Sequence, residues 1–131
     1  MENITAYITE LLILIFIMIT FLQSGLDKLL DWKGNISWLN GHFSNTFLAG
    51  QVNLMVGIIL VIEIITGLLA IAGMGQILFS GNTTLALYAC ILAAITLLML
   101  LFGQRVAKDY AGAFTITGYF VVVILGVYIL S

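Results

Sequence analysis

The sequence predicts an all-α integral membrane protein with four transmembrane helices in an antiparallel bundle and an interfacial segment between helices 1 and 2. Of its 131 residues, 63% are hydrophobic and 8% are charged, and none is proline, a composition outside the range of soluble domains. Apolar runs occupy 8–22, 48–72, 85–102 and 114–130, and a helix of about 20 apolar residues crosses a bilayer. The connections are too short for a soluble lobe, so 1–131 is predicted to be a single integral membrane four-helix domain.

The first helix is predicted to continue past the bilayer core. The residues GLDKLLDW at 25–32 keep leucines at helical spacing while adding charges. Gly34 is predicted to end this helix. The following segment, KGNISWLNGHFSNTFLAG at 33–50, mixes turn formers with aromatic residues and is expected to lie along the membrane surface.

The other two connections are predicted from glycine and charge. The residues GMGQILFSGN at 73–82 are rich in glycine and uncharged, and they are expected to link helices 2 and 3. The residues GQRVAKDYAG at 103–112 form a short charged connection, so helices 3 and 4 should be antiparallel neighbours.

The basic residues predict the orientation of the chain. With four spans, connections 1–2 and 3–4 share one side of the membrane, and they contain every basic residue, namely Lys28, Lys33, Arg105 and Lys108. The positive-inside rule places these connections in the cytoplasm. Both termini would then lie outside.

Each predicted helix carries a stripe of small or polar residues at helical spacing. Small residues let helix backbones approach closely in lipid, where the hydrophobic effect no longer drives helices together. The stripes of helices 1 to 4 are Thr9, Phe16, Thr20, Gln23 and Asp27; Glu63, Thr66, Gly67 and Ala70; Ala86, Ala89, Ala93, Thr96 and Gly103; and Gly112, Thr115, Tyr119 and Gly126.

Glu63 is the most informative single residue, because it lies near the middle of an apolar run. An ionised acid at that depth costs roughly 2.5 to 3.5 kcal/mol, so it should be protonated, paired or turned toward polar groups. Counting residues along each helix places Thr20, Thr96 and Tyr119 at a similar depth, and Tyr119 is the preferred partner. A functional acid and a hydrogen-bonded structural acid both remain open.

A second tier of polar residues is predicted nearer the cytoplasm. Gln23, Asp27, Lys28, Arg105 and Lys108 form a candidate site for a lipid, a quinone or an anion. The alternative is an ordinary charged helix end, with basic residues that only set the topology.

Composition argues against several classes of site. A single cysteine, Cys90, excludes a CxxC pair, and a single histidine, His42, excludes a paired-histidine haem within one chain. No metal site, intrinsic cofactor or catalytic residue is predicted. The net charge of -2 without a basic run gives no indication of a nucleic acid partner.

Two motifs carry a family resemblance. The residues FLQSGLDKL at 21–29 and EIITGLL at 63–69 resemble the DoxX family of small four-helix membrane proteins, and the connection at 103–113 looks like that of Bacteroidetes members. The resemblance makes Gly25, Lys28, Glu63 and Gly67 the motif positions. Many members carry a proline before the second helix, which this chain lacks.

The resemblance implies a small subunit or accessory protein of a quinone-linked or respiratory membrane redox complex. It implies a bacterial inner membrane, contacts with membrane lipid and other membrane subunits, and a quinone or lipid as the ligand. No independent catalytic activity is expected. Two other functions stay open, a small proton-coupled transporter that uses Glu63 and a purely structural or assembly protein.

Overall fold

The computed structural model describes residues 2–131, and every regular element in that range is an α-helix. Four of the helices are long and apolar enough to cross a membrane. At 1.5 Å per residue they are about 32 to 44 Å long, against a hydrocarbon core of about 30 Å. The protein is therefore a small integral membrane protein, as predicted. The helices are α1 (Glu2–Ala6), α2 (Ile8–Leu30), α3 (Trp32–His42), α4 (Val52–Ser80), α5 (Thr84–Val106) and α6 (Tyr110–Leu130).

The break after the first long helix falls at Asp31, and the prediction that Gly34 ends the helix was wrong. Asp31 closes α2 and also caps α3, where its Oδ1 accepts a hydrogen bond from the Gly34 backbone N–H at 3.3 Å. A Cβ on residue 34 would collide with the Asp31 carboxylate. Glycine here serves the cap at the start of a helix, and much of the segment at 33–50 is helical.

The glycine-rich segment at 73–82 is mostly helix, because α4 continues to Ser80. Gly73 packs against α5, where an added Cβ would lie 2.8 Å from Ala86 Cα. The chain turns only at Gly81, which has a φ of 72°. Gln76 assists the turn, since its Oε1 accepts a hydrogen bond from the Leu85 N–H at 3.0 Å near the start of α5.

The long helices share one hydrophobic core. Extensive contacts join α2 to α4, α4 to α5, and α5 to α6, while α2 also touches α5 and α6 at fewer positions. Within the described range α4 and α6 do not touch. The core is formed mainly by Leu14, Ile17, Phe21, Ala70, Ile77, Ala86, Ala89, Cys90, Ala93, Leu97 and Val123.

Of the long helices, α6 is the least covered by the rest of the chain. Its fully buried residues are Ala113, Val123 and Gly126. At Gly126 it approaches α5 and α2, where an added Cβ would lie 2.9 Å from Cys90 Sγ and 3.0 Å from Ile13 Cγ2. The sparse contact between α2 and α6 leaves space between them.

Candidate functional site

Two glycines bring α2 and α4 together around the buried acid. A Cβ at Gly25 would lie 2.6 Å from Ile64 Cδ1, and a Cβ at Gly67 would collide with the Leu22 side chain. Such close approach is what small residues allow between membrane helices. The two backbones therefore lie near enough for a side chain of α2 to reach Glu63 of α4.

The side chain that reaches Glu63 is Lys28. Its Nζ lies 2.8 Å from Glu63 Oε1, and the two side chains are 16% and 2% exposed. Lys28 also donates a hydrogen bond to Ser24 Oγ at 2.7 Å. Lysine neutralises the carboxylate, and an ion pair is one of the few arrangements that make a buried charge tolerable. The expected separation into two tiers was wrong, because the flexible lysine stem spans the depth between them.

One oxygen of the pair keeps unused hydrogen-bonding capacity. Glu63 Oε1 is fully buried, Lys28 Nζ lies 2.8 Å from it as an ion pair, and no other group of residues 2–131 donates a hydrogen bond to it. An ammonium has three N–H donors, so Lys28 can donate to Ser24 Oγ and stay paired with the Glu63 carboxylate.

The first of two cavities at the pair lies between α2 and α6, and we call it the α2–α6 cavity. Its volume is about 330 Å³. The rings of Phe16 and Tyr119 meet edge to face across the same two helices, with centroids 5.9 Å apart. Polar and apolar groups alternate around Glu63. The lining residues are Ile19, Thr20, Phe21, Gln23, Ser24, Asp27, Glu63, Leu97, Leu100, Ile116 and Tyr119.

The second cavity lies beneath α3, and we call it the α3 cavity. Its volume is about 230 Å³, and it shares Leu100 and Ile116 with the first. Lys28 is the only charged residue among those that line it. The lining residues are Lys28, Asn35, Trp38, Leu39, Phe43, Val52, Met55, Val56, Ile59, Met99, Leu100, Gly103, Gln104 and Ile116.

The predicted site residues divide into those at the pair and those away from it. Thr20, Gln23, Asp27 and Tyr119 line the α2–α6 cavity with Glu63. Tyr119, the expected partner of Glu63, lies 36% exposed beside the cavity, and the direct contact belongs to lysine.

Three predicted residues lie elsewhere. Thr96 is fully buried, but its hydroxyl donates to the backbone oxygen of Leu92 at 2.7 Å. Arg105 lies over the Tyr110 ring at 5.1 Å, and Lys108 is exposed at the turn with a φ of 59°. None of the three lines either cavity.

Sequence reasoning missed a polar cluster at the end of α3, beside the α3 cavity. His42 Nε2 lies 3.1 Å from Gln104 Oε1 and 3.6 Å from Asp109 Oδ2, and the imidazole stacks on Trp38 at 4.7 Å. These contacts hold the end of α3 against the connection between α5 and α6. No local pattern could reveal them, because His42 and Gln104 are 62 residues apart.

The site combines a neutralised charge pair with a cavity on each side. It can bind a molecule with a polar head and an apolar body. No family model matches the chain, and neither a curated protein nor a solved structure matches it. The resemblance to the DoxX family therefore stays a prediction.

Proposed function

We propose that the protein is a DoxX-type accessory subunit of a quinone-linked membrane redox complex. Its four long helices form an antiparallel bundle in a bacterial inner membrane, and α3 lies on the cytoplasmic membrane surface. The motif residues of the resemblance support this assignment, because Gly25 and Gly67 lie where α2 meets α4 and Lys28 contacts Glu63. The four basic residues lie at the end of α2, in α3, at the end of α5 and in the α5–α6 connection. The positive-inside rule favours a cytoplasmic location for these connections.

The observation that carries the functional proposal is the ion pair in the wall of the α2–α6 cavity. We place the mouth of this cavity toward the lipid, because α2 and α6 contact each other at few positions. A lipophilic ligand can therefore reach Glu63 from the bilayer. The subunit supplies this binding site, and the electron-transferring groups belong to its partners.

The lining suits the head of a quinone or quinol. Tyr119, Gln23 and Thr20 carry donors for quinone carbonyl oxygens, and the Glu63 carboxylate is an acceptor for a quinol hydroxyl. Leu97 and Ile116 supply apolar surface for the ring. Ligand sites commonly combine a mostly apolar wall with a few placed polar groups.

Replacement of the acid tests this proposal. In nanodiscs, Glu63→Gln should raise the Kd of a short-chain menaquinol about tenfold, because a hydrogen bond to a charged group is worth roughly 1.5 to 3 kcal/mol. A photoreactive azidoquinone should label peptides from α2 and α6. Titration of binding under reducing conditions measures the first effect, and mass spectrometry of the cross-linked peptides measures the second.

Tyr128→Phe is the matched control, since Tyr128 lies on α6 but is 80% exposed and outside both cavities. It should bind like the wild type. Equal binding by Glu63→Gln and the wild type, with labels scattered over all helices, would reject the quinone site. Elution without any partner from mild-detergent extracts would count against the accessory role.

A small proton-coupled transporter is the second candidate. It is favoured by the position of the Lys28–Glu63 pair, which borders cavities on two sides. An acid between two cavities can exchange a proton with one cavity while a ligand binds in the other. In proteoliposomes, a gradient of octane-1-sulfonate should then drive proton movement that Glu63→Gln abolishes.

A further inference from the structure

Lys28 belongs to two environments at once. Its ammonium contacts Glu63, which lines the α2–α6 cavity, and its side chain lines the α3 cavity on the other side. In the α3 cavity it is the one charged lining residue, accompanied by the polar Asn35 and Gln104. The remaining lining is apolar, so the cavity offers a single positive charge at one end of a hydrophobic chamber.

We propose that the α3 cavity binds an amphipathic anion, and that binding moves Lys28 from Glu63 to the ligand while Glu63 takes up a proton. The anionic head contacts the ammonium, and the apolar tail lies between α4 and α5 against Met55, Ile59 and Met99. This inference concerns a cavity separate from the proposed quinone site and stands without it.

Charge neutrality couples the two events. The ion pair consists of one half-buried cation and one buried anion, which compensate each other. A second anion at Lys28 leaves one negative charge unbalanced, and an unpaired charge in a membrane interior is expensive. Glu63 becomes neutral by taking one proton from solution, so ligand anion and proton enter together and the net charge of the site stays zero.

The surrounding groups leave Glu63 as the proton acceptor. On α2, Asp27 lines the α2–α6 cavity with Glu63, but its side chain is exposed and water stabilises its charge. On α6 the facing titratable group is Tyr119, and α5 contributes Leu97 and Leu100 there. On α3 the nearest titratable side chain along the cavity is His42, which contacts Gln104 and, from the α5–α6 connection, Asp109.

Trp38 provides the readout, because it lines the α3 cavity. The probe is 8-bromooctane-1-sulfonate, a quencher that stays anionic at all working pH values, and 8-bromooctan-1-ol is its neutral control. Trp32→Phe leaves Trp38 as the only tryptophan, since the chain contains two. In phosphatidylcholine nanodiscs the sulfonate should quench Trp38 saturably, and the alcohol should quench it only by partitioning.

The pH dependence carries the test. If one proton enters with each sulfonate, its Kd rises about tenfold per pH unit wherever the empty site is ionised and the bound site is protonated. Glu63→Gln should bind with no pH dependence and more tightly than the parent at the alkaline end, because its Lys28 is already free. His42→Gln should keep the slope, which separates Glu63 from the only histidine.

A pH-indicator dye in weakly buffered sample should record one proton taken up per sulfonate bound, and none in Glu63→Gln. Saturable binding without a pH slope overturns the coupling, and sulfonate quenching no stronger than that of the alcohol overturns the site. Loss of binding in Lys28→Met with normal binding in Lys33→Met supports it. If phosphatidylglycerol in the nanodisc competes with the sulfonate, the occupant is a bilayer phospholipid. If phosphatidylglycerol does not compete, the occupant is a free single-chain anion.

Discussion

Lys28→Met should lower the free energy of unfolding by about 3 kcal/mol. Removal of one member of a buried ion pair leaves the other charge uncompensated. Glu63 is 2% exposed, and apart from Lys28 no described residue donates to its Oε1, so water and neighbouring groups offer little compensation once Lys28 is gone. Unfolding by titration with sodium dodecyl sulfate, followed by far-ultraviolet circular dichroism, measures the change.

The double variant Lys28→Met, Glu63→Leu is the matched control. With both charges gone, an apolar pair of similar size should recover most of the stability, since replacing a buried ion pair by hydrophobic residues is often neutral or stabilising. A single variant as stable as the wild type at neutral pH would show that the pair contributes nothing to folding.

The four apolar helices could be predicted because each exceeds the length needed to cross a bilayer. Their ends were harder to place, and the reasons are local. Gly73 and Gly75 suggest a connection, yet the chain stays helical there because α4 packs closely against α5. Gly34 suggests a helix end, yet it stands in the first turn of α3, where only glycine leaves room for the Asp31 cap.

The sequence singled out both members of the ion pair but assigned them to different depths. Depth counting follows backbone rise and ignores the reach of a lysine side chain, which covers about one helical turn. The contact also needs α2 and α4 to approach at Gly25 and Gly67, a tertiary feature. Tyr119 was favoured instead because its own depth matches that of Glu63.

The cavities lay beyond prediction, since they depend on which helices fail to touch. Sparse contact between α2 and α6 accompanies one of them, and α3, which His42 links to Gln104 of α5, lies over the other. Neither feature leaves a periodic signal in the sequence. The polar residues that line them, by contrast, could be listed in advance, because polar side chains in apolar runs are rare.

Gly73→Ala should destabilise the protein by about 1 to 3 kcal/mol, the range observed when a methyl group is forced into a filled interior. The added Cβ would lie 2.8 Å from Ala86 Cα and 2.9 Å from Ala86 N. Both atoms belong to the backbone of α5, so no side-chain rotation can relieve the contact and the two helices must separate. The same detergent titration measures the loss, and pairwise spin-label distances between α4 and α5 measure the separation.

Gly75→Ala isolates the cause, because residue 75 lies on the same helix two positions away and an added Cβ there meets nothing within 4 Å. Alanine favours a helix over glycine by about 1 kcal/mol, so this variant should match or exceed the wild type. If both variants behaved alike, backbone propensity would account for the result and the close approach at Ala86 would not. A larger loss at residue 73 alone would show that α4 needs this glycine to hold α5, and with it Leu97 and Leu100, against Glu63.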